Sequence, residues 1–327
     1  MTGTADNSFF CFTQLLGQEK AKRLLSRSLM AGRVPHAYIF KGPEGVGKRL
    51  FARGVAAAVN CRDTKRLGAC GVCSSCKKFR SMNHPDFLVV SPDRGVIKID
   101  RIRQLTKELS YPPYESAMRV VVLEDVQTMR REAANSLLKT LEEPPENNLL
   151  ILTAEASREI LATLTSRCQV VPFSRLSVAD TVTILVRQGI DHETARLLAR
   201  LSEGSPGKAL LFHKTEMIAS WRKLVSFLSD PAVDPDGDVG ELLHLAETMA
   251  ALKEELLSFM GLLKIWIRDL LLGDTQDMGA AQDGTPVKSW NSNELFAKLQ
   301  AIDRAERELS RNCNRNLVCE VLLFKLQ

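Results

Sequence analysis

A short apolar run, HAYIF (36–40), leads straight into the glycine loop GPEGVGK, and residues 48–59, KRLFARGVAAAV, follow with helix-favouring composition. Strand, tight glycine turn and helix in direct succession make half of a parallel α/β unit. The helix has to cross back before another strand can pair in parallel. The next hundred residues repeat the theme. DFLVV (86–90), MRVVVLEDV (118–126), NLLILTAE (148–155) and QVVPF (169–173) are apolar runs of strand length, and residues 98–109 and 131–143 between them read as helices. Strands with so little polar alternation need cover on both faces. The expected fold is therefore α/β, a parallel sheet between helices.

Upstream, residues 15–31 carry helical periodicity that Gly32 and Pro35 stop. From about Leu176 the strands disappear. Residues 176–213 read as a small helical unit with a turn at EGSPGKA (203–209). Residues 216–327 are helical as well, broken by the polar, glycine-bearing segment 273–288. A chain of 327 residues exceeds one ordinary core, and the expected division is 1–175, 176–213 and 214–327. The start, MTGTADNSFFCF, has neither a basic n-region nor an apolar core, so no secretory leader is expected. The most apolar later stretch, LLSFMGLLKIWIRDLLL, is interrupted by Lys264, Arg268 and Asp269 and is not expected to span a membrane. A net charge of +5 permits contact with nucleic acid without arguing for it. In the cytoplasmic location these features imply, eight cysteines point to metal binding or buried thiols before disulfides.

Four of those cysteines are clustered. Cys61, Cys70, Cys73 and Cys76 include two overlapping Cys-x-x-Cys turns, which aim thiolates at one centre, and Cys61 can supply the fourth. Four thiolates close a tetrahedral zinc shell and leave no place for water, so such a site is structural. An iron–sulfur cluster or an unmetallated set are the alternatives. Cys11, Cys168, Cys313 and Cys319 are scattered and read as buried thiols. Beside the cluster, Lys77, Lys78 and Phe79 offer charge and a ring to nucleic acid, or simply a solvated face.

The glycine loop places Gly42, Gly45, Gly47 and Lys48 as a phosphate cradle does, with backbone N–H groups at a helix N-terminus. The residue after the lysine, where a metal-binding hydroxyl belongs, is Arg49. A guanidinium has donors and no lone pair. The alternative is a tight turn that needs glycines only for packing. Glu124 and Asp125 end an apolar strand, as metal-binding and water-orienting acids do, but in the reverse of the usual order; they are equally two solvated acids at a strand end. Arg167, between Ser166 and Cys168, is by default a charge at a helix end.

In this order, HAYIFKGPEGVGK, the cysteine spacing, NSLLKTLEEPP and Ser166-Arg167-Cys168 resemble the bacterial clamp-loader AAA+ family. NHPDFLVVSPD and the degraded nucleotide motifs are similar to its delta-prime branch more than to its hydrolysing gamma/tau branch. The resemblance covers about residues 15–213, and the ending RNCNRNLVCEVLL is similar too. It implies a RecA-like AAA+ domain, a small helical lid and an all-α collar. It also implies partners: gamma/tau-like ATPase subunits and a delta-like subunit in a ring of five that loads a sliding clamp on primed DNA for DNA polymerase III. In such a ring the arginine of Ser-Arg-Cys completes a neighbour's ATP site, which is the role implied for Arg167. Ala154 and Glu155 stand where hydrolysing members carry threonine, and Gly207, beside Lys208, where they carry a phosphate-contacting arginine. With Arg49 and the Glu124–Asp125 order, these departures imply that ATP or ADP is held without efficient hydrolysis. An active gamma-like ATPase is the alternative.

Overall fold

The computed structural model describes residues 11–63, 67–155, 160–232, 239–273, 288–311 and 313–327. The chain divides into two compact units, one ending at Lys208 and the other beginning at Ala209.

In the first unit, strands β1 (Ala37–Lys41), β2 (Phe87–Val90), β3 (Arg119–Leu123), β4 (Asn148–Ala154) and β5 (Gln169–Pro172) form one parallel sheet in the order β2-β3-β4-β1-β5. Helices α1 (Glu19–Met30), α2 (Lys48–Val59), α3 (Ser74–Arg80), α4 (Ile99–Leu109), α5 (Arg131–Glu142) and α6 (Ala162–Thr165) lie between strands or before them. Successive side chains of a strand face opposite sides. Tyr38, Phe40, Val120, Val122, Leu149 and Ile151 accordingly pack with Leu25 of α1 and Phe51 and Val55 of α2. Ala37, Ile39, Val121, Leu123, Leu150 and Leu152 pack with Leu105 of α4 and Leu137 of α5. Every residue of β3 and β4 is buried, which is why those segments read as unbroken apolar runs. Each buried aliphatic side chain contributes about 1.5–3 kcal/mol of transfer free energy, so both layers are needed to hold the sheet.

Helices α7 (Val178–Arg187), α8 (His192–Leu201) and α9 (Pro206–Lys214) follow. Three boundaries differ from the sequence reading. Gly17 and Gln18 take left-handed backbone (φ 68° and 59°), so α1 starts at Glu19 rather than residue 15. The Gln18 side chain instead bonds both ways with the Ser174 backbone (2.6 and 3.0 Å). Strand β3 stops at Leu123, before the two acids, because Asp125 turns the chain with φ 50°. Helix α9 begins inside the expected turn, with Pro206 at its first position, where no N–H is needed.

The second unit consists of α10 (Met217–Ser229), α11 (Val239–Ala250), α12 (Leu256–Leu272), α13 (Ser292–Ser310) and α14 (Arg315–Leu326). Trp221, Phe259, Trp266, Ile302 and Leu323 are among its fully covered side chains. Helix α12 is the apolar stretch singled out above. Its Lys264 ammonium reaches Asp303 (2.6 Å) and Glu306 (2.7 Å), and Arg268 bonds Asp269 at 3.1 Å. Among the described residues no helix is long and apolar enough to cross a membrane. The expectations for residues 1–10 and 274–287 lie outside the described residues.

Candidate functional site

The sheet order sets β1 beside β4, with β3 next, so the loops leaving these three strands converge at one edge. The Gly42 N–H donates to the Ala154 carbonyl (3.1 Å), and a Cβ on Gly42 would stand 2.4 Å from the Phe173 carbonyl oxygen. Gly45 and Gly47 have φ of 72° and 95°, the left-handed backbone that lets α2 start abruptly at Lys48. Lys48 is 8% exposed, and its ammonium donates to the Gly42 (2.7 Å) and Pro43 (2.6 Å) carbonyls. Burial lowers its pKa, opposed by the nearby charges of Asp125, Glu155 and Glu44.

Arg49, in the first turn of α2, forms an ion pair through Nε with Glu124 Oε1. Glu124 is buried, and its other oxygen accepts from the Ser91 hydroxyl (2.8 Å). Asp125 is engaged differently: its N–H donates to Thr153 Oγ1 (3.0 Å), and its Oδ1 accepts from Gln127 (3.4 Å). The two adjacent acids therefore do not act as one pair. Magnesium needs oxygen ligands with free lone pairs. Here the hydroxyl position is a guanidinium, which has no lone pair, would repel a cation, and is already paired with Glu124, so these residues do not fit the ion.

The start of α9 closes on the same loop. The Gly207 N–H donates to the Gly45 carbonyl (2.9 Å), the Ser205 hydroxyl to the Glu44 carbonyl (2.8 Å), and Lys208 Nζ lies 3.9 Å from Glu44. Gly42, Gly45, Gly47, Lys48, Arg49, Glu124, Asp125, Gly207 and Lys208 are thus brought to one place.

The cysteines form a second cluster beyond the far end of α2. The sulfurs of Cys61, Cys70, Cys73 and Cys76 all lie within 4.8 Å of one another, with 3.9 Å between Cys70 and Cys76 and 3.8 Å between Cys76 and Cys61. Backbone N–H groups point at three sulfurs, from Cys70 to Cys61, Cys73 to Cys70 and Cys76 to Cys73. Such donors favour thiolate; backbone N–H groups, those of Val72 and Cys73 foremost, lower the Cys70 pKa to about 6, while burial pushes Cys76 up. The arrangement can hold one metal ion. Phe79 next to it is buried and stacks on His84 at 4.2 Å, so it offers no ring to a base, and Lys78 pairs with Glu115. Cys11 and Cys319 are buried thiols as expected and Cys168 is half-buried. Cys313 is exposed, since it precedes α14 instead of packing within it.

Arg167 stands apart from both clusters. It follows α6 and precedes β5, at the edge where strands begin, whereas the glycine loop lies where β1 ends. A five-residue strand separates such edges by about 17 Å. Arg167 pairs with Glu142 at the end of α5 (2.5 Å) and donates to the Thr163 carbonyl (3.0 Å), with a third of its side chain exposed.

The sequence family described as DNA polymerase III, delta subunit, matches residues 17–177. The chain is 34% identical over 210 residues to DNA polymerase III subunit delta' of Bacillus subtilis (strain 168), across 64% of this chain and 63% of that protein. The chain belongs to the DNA polymerase III clamp-loader family. It is also 32% identical over 244 residues to DNA polymerase III subunit tau of Escherichia coli (strain K12), across 73% of this chain and 38% of that one. This clamp-loader chain therefore spans under two thirds of the length of either relative. Among solved structures, a DNA polymerase III gamma subunit-related protein of Thermotoga maritima aligns with a TM-score of 0.48 at 20% identity, covering 94% of this chain and 97% of that one.

Sequence reasoning missed Ser91, Glu142 and Ser205 in this clamp-loader chain. Each acts through a contact between segments distant in sequence; all three lie inside quoted stretches (NHPDFLVVSPD, NSLLKTLEEPP and EGSPGKA), but nothing local marks the contact.

Proposed function

We propose that this chain is a delta-prime-like clamp-loader subunit, a stator with no useful ATPase of its own that lends Arg167 to a neighbouring motor. The observation that carries the reading is the placement of Arg167: part-exposed, and on the opposite edge of the sheet from its own glycine loop. A guanidinium supplied in trans neutralises charge developing on a transferred phosphoryl group, worth about 10³–10⁵ in rate where such an arginine acts. The Arg49–Glu124 pair supports the other half of the reading, since it spends the acid that would hold magnesium.

In this reading residues 1–175 are the AAA+ domain, 176–213 the lid and 214–327 the collar; the division between the compact units, after Lys208, falls inside the lid. Leu317, Val321 and Phe324 leave an apolar stripe exposed on α14, as an assembling collar requires. The partners are gamma/tau-like ATPases and a delta-like subunit in a ring of five. That ring acts on a sliding clamp and primed DNA in the cytoplasm. The cysteine cluster holds a structural zinc ion, whose tetrahedral shell at Zn–S of about 2.3 Å has edges of about 3.8 Å. The sulfur separations of 3.8 and 3.9 Å support one ion over a multi-iron cluster, whose cysteines sit on separate irons.

In a ring reconstituted with Arg167→Ala, ATPase should fall while assembly persists. Normal ATPase would overturn the assignment. The likeness to subunit tau favours a second reading, an active gamma-like ATPase. Magnesium-dependent turnover by the chain alone, abolished by Lys48→Ala, would establish that one instead.

A further inference from the structure

We propose that the glycine loop takes a nucleoside di- or triphosphate without a divalent metal, the Arg49 guanidinium standing in for the ion's charge. The inference rests on reading the loop as a phosphate site and goes beyond it in assigning the counter-charge. In a metal-dependent loop the hydroxyl after the lysine and an acid at the end of another strand of the sheet serve the ion between them. Here those two positions hold each other: Arg49 Nε is paired with Glu124, and Ser91 takes the remaining Glu124 oxygen (2.8 Å). Anchored through Nε, Arg49 is otherwise 71% exposed, and Glu124 is its only ion-pair partner among the described residues. Its Nη1 and Nη2 form a planar fork suited to phosphate oxygens.

The other charges around the loop make the same point. Lys48 and the N-terminus of α2 favour an anion, and Lys208 flanks the loop. Glu44, Asp125 and Glu155 face Lys48 and oppose one. A polyphosphate therefore needs a further cation, and Arg49, at the sequence position of the metal-binding hydroxyl, is already held beside the loop by Glu124. Magnesium bound to the nucleotide would meet a guanidinium there, with no lone pair to accept it, and would gain nothing.

The test is calorimetric titration of the full chain with ATP and with ADP, in magnesium and in EDTA. The wild-type Kd should differ by less than about threefold between the two conditions, and Arg49→Ala should weaken binding by about tenfold or more in both. Arg49→Thr, which restores a hydroxyl, should bind about tenfold more tightly with magnesium than without. If that variant fails to fold by circular dichroism, Arg49→Lys keeps the charge and should retain metal-indifferent binding. Wild-type binding tightened about tenfold by magnesium, or no binding in either condition, would overturn the proposal. Such a failure leaves the Arg167 reading standing, because that reading is tested on a neighbour's ATPase.

Discussion

Gly207 and Gly45 meet backbone to backbone: the Gly207 N–H donates to the Gly45 carbonyl at 2.9 Å, and a Cβ on Gly207 would stand 2.7 Å from the Gly45 Cα. Neither side yields easily. Gly45 has φ of 72°, and a Cβ there would stand 2.3 Å from the Ser205 hydroxyl oxygen. The glycine at 207 is thus a packing requirement.

Gly207→Ala should therefore lower unfolding stability by about 1–3 kcal/mol, the usual range for an overpacked site. Gly207→Arg should cost at least as much and restore no turnover, since the arginine would have to displace the loop it is meant to serve. Urea unfolding read by far-UV circular dichroism checks the stabilities, since all three tryptophans lie beyond residue 208, and an ATPase assay checks the turnover. A wild-type midpoint for Gly207→Ala would mean the contact is slack.

Arg167→Ala should leave the free chain folded. Its ion pair with Glu142 is half-exposed, and such pairs contribute about 0–1 kcal/mol. The unfolding midpoint should shift little, so any loss in a reconstituted ring is attributable to the missing guanidinium. A large drop in midpoint would make Arg167 a structural residue.

The sheet was legible because each strand is covered on both faces. VVVL and LLIL have no polar face to hide, and their length and bounding turns then decide for strand. The cysteine cluster was legible because its turns are local. The glycine loop was legible as a cradle, but its state was not. That Arg49 binds Glu124, that Ser91 completes that carboxylate and that Asp125 leaves it all depend on strand register and on one left-handed residue. Phe79 shows the same limit. Next to two lysines it reads as exposed, and only the fold sets it against His84 and Phe87.

The chain as purified should carry one zinc ion and no iron by elemental mass spectrometry. Cys76→Ser, which alters the most buried of the four ligands, should lose the zinc and lower the unfolding midpoint. Chelation should do the same to the wild type, because metal binding at a site absent from the unfolded chain is folding free energy. A coloured, iron-containing protein, or a midpoint indifferent to chelation, would count against the zinc centre.

Asp86 offers a test by pH. Its buried carboxylate accepts from the N–H groups of Tyr114 (2.6 Å), Glu115 (2.9 Å) and Ser116 (2.9 Å) and from the Ser116 hydroxyl (2.7 Å), with Arg119 3.9 Å away. Burial alone would raise its pKa, but these donors outweigh burial and hold it below the ordinary aspartate range. A carboxyl depressed on folding contributes stability that is fully present above its unfolded pKa and is lost as pH falls through the folded one. Asp86→Asn keeps the shape and removes the charge, so it should cost about 1–3 kcal/mol at neutral pH. The gap to wild type should then close below about pH 4, where the wild-type carboxyl begins to protonate in the unfolded chain. Urea midpoints of both proteins between neutral and acid pH decide the matter, and a gap that stays constant throughout would show that the charge of Asp86 contributes nothing.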